Sequence, residues 1–247
     1  MLGLGMFKIK TAALKDILPV AVGSLLSVAF MNLNLSYNSV GFYQLSKLAC
    51  IPVTLLVQKL AYNQSVSKTV QLTLIPITFG VGFATVYDID LNFIGTIFAG
   101  CAVVATALAQ IFTNTYQKSL DCNAFQLLHL TSPYITLGML LMCPFFDDTT
   151  KLLSFQYTPH CILRILTSCF FALGVNISNY LVLGRTSPLT YQVLGHLKTV
   201  LILILGVFMF NKPVDLRNVT GVIIAMVGVV SYTEVRRRQT AAPSLPK

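Results

Sequence analysis

Apolar residues run in long blocks along this chain, and charged residues fall between the blocks. No charge occurs from Ile17 to Ser46, from Leu91 to Gln117, from Cys122 to Phe146 or from Ile165 to Gly184. A helix crossing a bilayer needs about 20 consecutive apolar residues. The pattern predicts eight such spans, A to H, at about 15–37, 40–61, 69–87, 92–115, 123–146, 161–183, 187–210 and 217–235. The breaks carry turn chemistry: Asn38-Ser39, Asn63-Gln64-Ser65, Asp88-Ile89-Asp90, Asp121-Cys122-Asn123, Asp147-Asp148 and Asn211-Lys212-Pro213. Membrane strands would alternate apolar and polar positions over about 10 residues. These blocks are apolar on both faces, so the expected fold class is all-α, a polytopic membrane helix bundle. Connections are short, leaving no room for a soluble domain.

Composition agrees. Of 247 residues, 55% are hydrophobic and only 10% charged, against about 25% charged in a soluble domain. That excludes soluble enzymes, disordered regulators and secreted disulfide modules. Lys8, Lys10 and Lys15 precede the first block, as in a signal sequence. The block is long for a cleaved signal core and more spans follow, so it reads as a signal anchor.

The net charge of +9 would suggest nucleic acid in a soluble protein. Here it is a topology signal. With a cytosolic N-terminus, Lys8, Lys10, Lys15, Lys59, Lys68, Lys118, Arg185, Arg236, Arg237, Arg238 and Lys247 all fall on the cytosolic side. Lys151, Arg164, Lys212 and Arg217 fall opposite, together with most of the acids. The excess of cytosolic Lys and Arg places both termini in the cytosol.

The sequence also repeats. Displaced so that Ser39 meets Ser187, it aligns Tyr43-Gln44 with Tyr191-Gln192, Leu55 with Leu203, Asn63 with Asn211, Val66 with Val214 and Gly80-Val81 with Gly228-Val229. Helix B thus corresponds to G and C to H. The displacement is five helices, an odd number, so the copies cross the membrane in opposite directions. Inverted repeats of this kind mark secondary transporters, with substrate held near the midplane. The expected organisation is an incomplete three-helix N-terminal repeat at 1–91, a five-helix repeat at 92–235 and a basic cytosolic tail at 236–247. Two helices are missing from the first copy, and residues 2–7 read as the tail of a lost one.

Two cations lie inside predicted spans: Lys47 in B, and Lys198 in G within Gly195-His196-Leu197-Lys198-Thr199. A lysine at the bilayer centre costs about 2.5–3.5 kcal/mol on insertion scales. No acid lies within the core of a span to offset it, since Asp16, Asp88 and Glu234 sit at helix ends, so the pair points to an anionic ligand, against snorkelling to an interface. Polar residues near them, among them Asn32, Asn34, Ser36, Tyr43, Gln44, Asn176, Ser178, Asn179, Thr190, Tyr191 and Gln192, suit sugar hydroxyls or a base. The competing reading is interhelical hydrogen bonding. Tyr43 and Tyr191 stand out because they recur in the repeat beside a lysine. His129, His160 and His196 are too dispersed for a metal, and His196 reads as packing. The six cysteines form no close pair, and no cofactor is expected. Without intramembrane Asp or Glu there is neither an acidic proton relay nor a protease dyad, whereas anion exchange needs none.

The carrying segments Tyr43–Lys47, Leu72–Val81, Asn92–Gly95, Gln126–Leu128, Pro144–Phe146 and Thr186–Lys198 resemble the nucleotide-sugar and triose-phosphate transporter group of the drug/metabolite superfamily, within it the E subgroup of solute carrier family 35. The resemblance covers nearly the whole chain and starts at the third family helix. It implies ten helices in two inverted halves and antiport of phosphorylated compounds by alternating access, often in the Golgi. The family's two phosphate-binding lysines match Lys47 and Lys198. Where triose-phosphate members carry an arginine after the second lysine, this chain has Thr199. Where they carry a tyrosine it has Val175, while the next position matches Asn176. Lys198-Thr199 is similar to the nucleotide-sugar branch.

The expected site is therefore Lys47, Lys198, Thr199, Tyr43, Tyr191, Gln192 and Asn176. The expected partners are a nucleotide sugar or sugar phosphate, a counter-substrate nucleotide or phosphate, membrane lipid and a second copy in a homodimer, with no nucleic acid. The expected location is the Golgi or endoplasmic reticulum membrane. A truncated, non-transporting interaction or assembly protein is the alternative of a different class.

Overall fold

The computed structural model describes residues 10–38, 40–63, 66–85, 92–146, 150, 154–210 and 216–241. The breaks at Asp88-Ile89-Asp90, Asp147-Asp148 and Asn211-Lys212-Pro213 lie outside these residues, as do the segment 2–7 and the end of the tail. The regular structure described is helical: α1 Leu14–Tyr37, α2 Val40–Leu48, α3 Cys50–Tyr62, α4 Lys68–Thr85, α5 Phe93–Ser119, α6 Ala124–Phe146, α7 Pro159–Arg185, α8 Pro188–Phe210 and α9 Leu216–Ala241. No strand occurs among the described residues. Over the described residues each predicted span is helical, apart from its end residues and a break at Ala49 in B. Among the described residues, α1, α5, α6 and α7 are long and apolar enough to cross a membrane. Large apolar side chains face outward, with Phe145 84% and Phe170 73% exposed. Water would penalise such a surface at about 25 cal/mol per Å², whereas lipid accepts it.

Helix ends follow local chemistry. Asn123 and Gln126 form a reciprocal cap on α6: Asn123 Oδ1 accepts from the Gln126 N–H at 2.8 Å and Gln126 Oε1 from the Asn123 N–H at 2.9 Å. Thr158 caps α7 by accepting from the Cys161 N–H, ahead of Pro159 in the first turn. Asn63 ends α3 in the left-handed conformation, φ 49°, which asparagine tolerates better than most residues.

Predicted helix B is two helices. α2 stops at Leu48 and α3 starts at Cys50. Pro52 has no N–H to give the Leu48 carbonyl, and its ring crowds that oxygen. Ser46 Oγ also donates to the Tyr43 carbonyl at 2.8 Å, a local bond that bends helices. The Ala49 N–H turns back tightly to the Ser46 carbonyl at 3.1 Å before Val53 resumes the α pattern onto Ala49.

The chain packs as two compact units, one of Met1–Val28 with Leu108–Ser187 and one of Ala29–Ala107 with Pro188–Lys247. These are packing units, a different division from the sequence repeat. In the first, the Thr131 and Tyr180 hydroxyls share a 3.1 Å hydrogen bond above a cluster of Cys122, Ala124, Leu127 and Tyr180. Asn114 Nδ2 donates to the Leu183 and Thr186 carbonyls, tying α5 to the end of α7.

The core of the second unit combines Ile51 of α3, Val70, Leu74 and Ile77 of α4, Leu189 and Val193 of α8, and Val229 and Tyr232 of α9. Here α4 and α9 run antiparallel in close contact. Followed along α4 from Ser67 to Gly80, the neighbour on α9 runs back from Gln239, bonded to Ser67 Oγ at 2.7 Å, to Ala225. A Cβ on Gly80 would sit 2.4 Å from the Ala225 nitrogen, and a Cβ on Gly228 would sit 2.7 Å from the Ile77 nitrogen. Only glycine admits backbones this close. The contact is reciprocal: each glycine meets the residue three positions before the other.

Candidate functional site

The break between α2 and α3 places Lys47 in the last turn of α2. Open carbonyls at a helix C-terminus favour a cation there. Its ammonium lies over the Tyr43 ring, 4.0 Å from the centroid, well inside the range of a cation–π contact. The pairing follows from helix geometry, since residues four apart share a face.

A chain of buried hydrogen bonds holds this turn. Asn34, fully buried near the end of α1, donates from Nδ2 to Ser46 Oγ at 2.8 Å, and Ser46 Oγ donates in turn to the Tyr43 carbonyl. Asn38 Nδ2 in turn donates to Asn34 Oδ1 and to the Gly95 carbonyl, both at 2.8 Å. The sequence suggests a turn at Asn38. In the structure Asn38 links α1 to the start of α5, and the Tyr43–Lys47 turn stands on that link.

On the other side, α8 packs against α3. Gln192 Nε2 donates to Thr54 Oγ1 at 2.6 Å, both residues buried. His196, one turn after Gln192 on the same face, is also buried. The Thr190 and Tyr232 hydroxyls share a 2.8 Å hydrogen bond, which fastens the start of α8 to α9.

The structure therefore brings Tyr43 and Lys47 together and sets Gln192 and His196 on the α8 face beside their break. Tyr191 is half-buried on α8, and Lys198 is exposed. Two residues along a helix turn it by about 200°, so Lys198 and His196 cannot share a direction. The Thr199 side chain lies outside the described residues. Asn176 belongs to the other unit, on an exposed stretch of α7, where its Nδ2 donates to the Ala172 carbonyl of its own helix at 2.9 Å. Ion pairs among the described residues join Lys10 to Asp121 and Glu234 to Arg237 and Arg238. None includes Lys47 or Lys198. No group of His, Cys, Asp or Glu suited to a metal occurs among the described residues.

Thr54 and Asn38 are the contributors that sequence reasoning missed. Each is a small polar residue in an apolar context, and its partner lies on another helix.

Apolar outward faces, helices of membrane length and a cation at a helix break define a polytopic helical membrane protein. A model of the Triose-phosphate Transporter family matches residues 4–233, and the chain belongs to that family. It is 42% identical over 211 residues to "UDP-xylose transporter 3" of Arabidopsis thaliana, covering 84% of this chain and 59% of the relative. It is 38% identical over 232 residues to "UDP-rhamnose/UDP-galactose transporter 1" of the same organism, covering 93% and 67%. With "Nucleotide-sugar uncharacterized transporter 1", also of Arabidopsis thaliana, it shares 33% identity over 215 residues, covering 86% and 54%. The chain thus spans about three fifths of the length of the curated relatives it matches.

Proposed function

We propose that this chain binds and carries a nucleotide sugar across an organelle membrane, exchanging it for a nucleotide or phosphate by alternating access. One observation carries the reading: Lys47 is held at a helix break inside an apolar bundle, with no carboxylate beside it among the described residues. Its charge is backed by an aromatic ring, which leaves ammonium N–H donors for an anion. Phosphate groups of a nucleotide supply such an anion, and the names of the relatives point to UDP-linked sugars. Lys198 is the second proposed cation, at an exposed position on α8. Tyr191, Gln192, Asn176 and Thr199 are proposed to serve the sugar and base, and Tyr43, under the Lys47 ammonium, the phosphate end.

Exchange fits these residues. The bound anion neutralises the lysines, so the loaded carrier crosses its midpoint without unpaired charge. The inverted repeat gives two equivalent ways of opening, the Golgi or endoplasmic reticulum membrane is the proposed site, and both termini are proposed to be cytosolic.

The test is uptake of labelled UDP-xylose and UDP-galactose by proteoliposomes preloaded with UMP. Removing a charge-assisted hydrogen bond costs about 1.5–3 kcal/mol, or about 10- to 150-fold. Lys47→Ala and Lys198→Ala should each raise KM by that factor. Uptake that needs no internal nucleotide would argue against exchange. Unchanged KM in Lys47→Ala would remove the site.

A further inference from the structure

Resting on that reading, we propose that Tyr43 is a positioning residue for the substrate phosphates, acting through the face of its ring on the Lys47 ammonium. The observation is the 4.0 Å approach of Lys47 Nζ to the ring centroid, joined to the bonds that fix the backbone beneath it. Ser46 Oγ holds the Tyr43 carbonyl and Asn34 Nδ2 holds Ser46. The ring therefore has an anchored base.

A lysine has four rotatable side-chain bonds, and an unpartnered ammonium samples many positions. An aromatic face removes most of that freedom and offsets part of the desolvation of the charge. It does so without neutralising it, as a carboxylate would. A carboxylate would compete with the substrate anion. A ring takes one side of the ammonium and leaves the others to phosphate oxygens. The phenol hydroxyl plays no part in this role, which separates it from hydrogen bonding to a sugar.

Equilibrium binding of UDP to the purified chain tests the proposal in four variants. Tyr43→Phe keeps the face and should bind as the unsubstituted chain does. Tyr43→Leu removes the face and should weaken binding by about 3- to 30-fold. Lys47→Ala should weaken it further, and adding Tyr43→Leu to Lys47→Ala should change nothing more, since the ring then has no ammonium to hold. A Phe variant as weak as the Leu variant overturns the proposal in favour of the hydroxyl. Additive losses overturn it in favour of a packing role.

A second readout needs no ligand. Reductive methylation with ¹³C-formaldehyde leaves Lys47 cationic and gives it an NMR signal, assigned by its loss in Lys47→Ala. Ring current should displace the signal upfield in the unsubstituted and Phe chains, but not in the Leu chain. An undisplaced signal in the unsubstituted chain overturns the positioning role and leaves Lys47 as a phosphate ligand. UDP binding unaffected by Lys47→Ala overturns the proposed function itself, whatever the signal shows.

Discussion

Asn34 shows how one residue can hold a site it never enters. It is fully buried, and its two amide ends serve Ser46 and Asn38. Asn34→Leu keeps the size and leaves one Asn38 N–H without its acceptor and the Ser46 oxygen without its donor. A stranded buried group costs about 1–3 kcal/mol, so thermal unfolding of the purified chain should occur at a clearly lower temperature. UDP affinity should fall with it, because the Tyr43–Lys47 turn loses its support. A fall in stability with affinity intact would show the network to be structural only. Asn34 is visible in the sequence as a polar residue in a chargeless run. Its partners are not, because Ser46 sits on the next helix and Asn38 is held in turn by the Gly95 carbonyl of α5. The Lys47–Tyr43 pair is the opposite case, since a spacing of four on a helix fixes it locally. Lys47 and Lys198 as joint cations are legible only as a repeat of type. The described conformation shows Lys198 exposed and His196 buried on α8, a distinction that needs the helix's rotation about its axis.

At the scale of elements, the spans follow from the apolar blocks, because bilayer thickness fixes their length. Their ends move by a turn wherever helical pairing continues past the membrane. α9 is the clearest instance. The predicted tail begins at 236, yet the helix runs to Ala241, with Glu234 bonded to Arg237 at 2.9 Å and to Arg238 at 2.7 Å. The break in helix B is the departure that sets Lys47 in the last turn of a helix. Pro52 is plain in the sequence, but the break falls three residues earlier, where the proline leaves a carbonyl without a donor and Ser46 bends the chain. Restoring the donor should therefore trade function for stability. A proline inside a helix costs about 3 kcal/mol or more. Pro52→Ala should raise or preserve the unfolding temperature while α2 and α3 merge. The merger turns Lys47 and Tyr43 relative to α3 and should weaken UDP binding by about 10-fold, the lower end of losing one charge-assisted contact. Unfolding and binding measured on the same preparation decide it. A stabilised variant with unchanged affinity would mean that the break does not present the lysine.

On the scale of the whole molecule, the α4–α9 crossing has the form that an inverted repeat would give. Two copies of one unit related by a twofold axis make reciprocal contacts, residue i on j and j on i. Gly80 against Ala225 and Gly228 against Ile77 have that form, and the sequence pairs Gly80 with Gly228 and Ile77 with Ala225. The reciprocity makes two demands. The first is energetic. Gly80→Leu and Gly228→Leu each drive a side chain into backbone that cannot retreat, so both should unfold at markedly lower temperature, and by similar amounts. The second is topological. C and H must cross in opposite senses, so the start of α4 and the end of α9 share one side of the membrane. Ser67 and Gln239 already touch there, beside Lys68, Arg237 and Arg238. In the proposed orientation, drawn from the charge rule, that side is cytosolic. Ser67→Cys with Gln239→Cys should therefore cross-link under mild oxidation in sealed, cytosol-side-out vesicles. A membrane-impermeant thiol reagent added outside should block the bond. A pair that forms but is protected from the reagent would invert the orientation and keep the fold. A pair that never forms would separate α4 from α9 and remove the twofold on which alternating access is proposed.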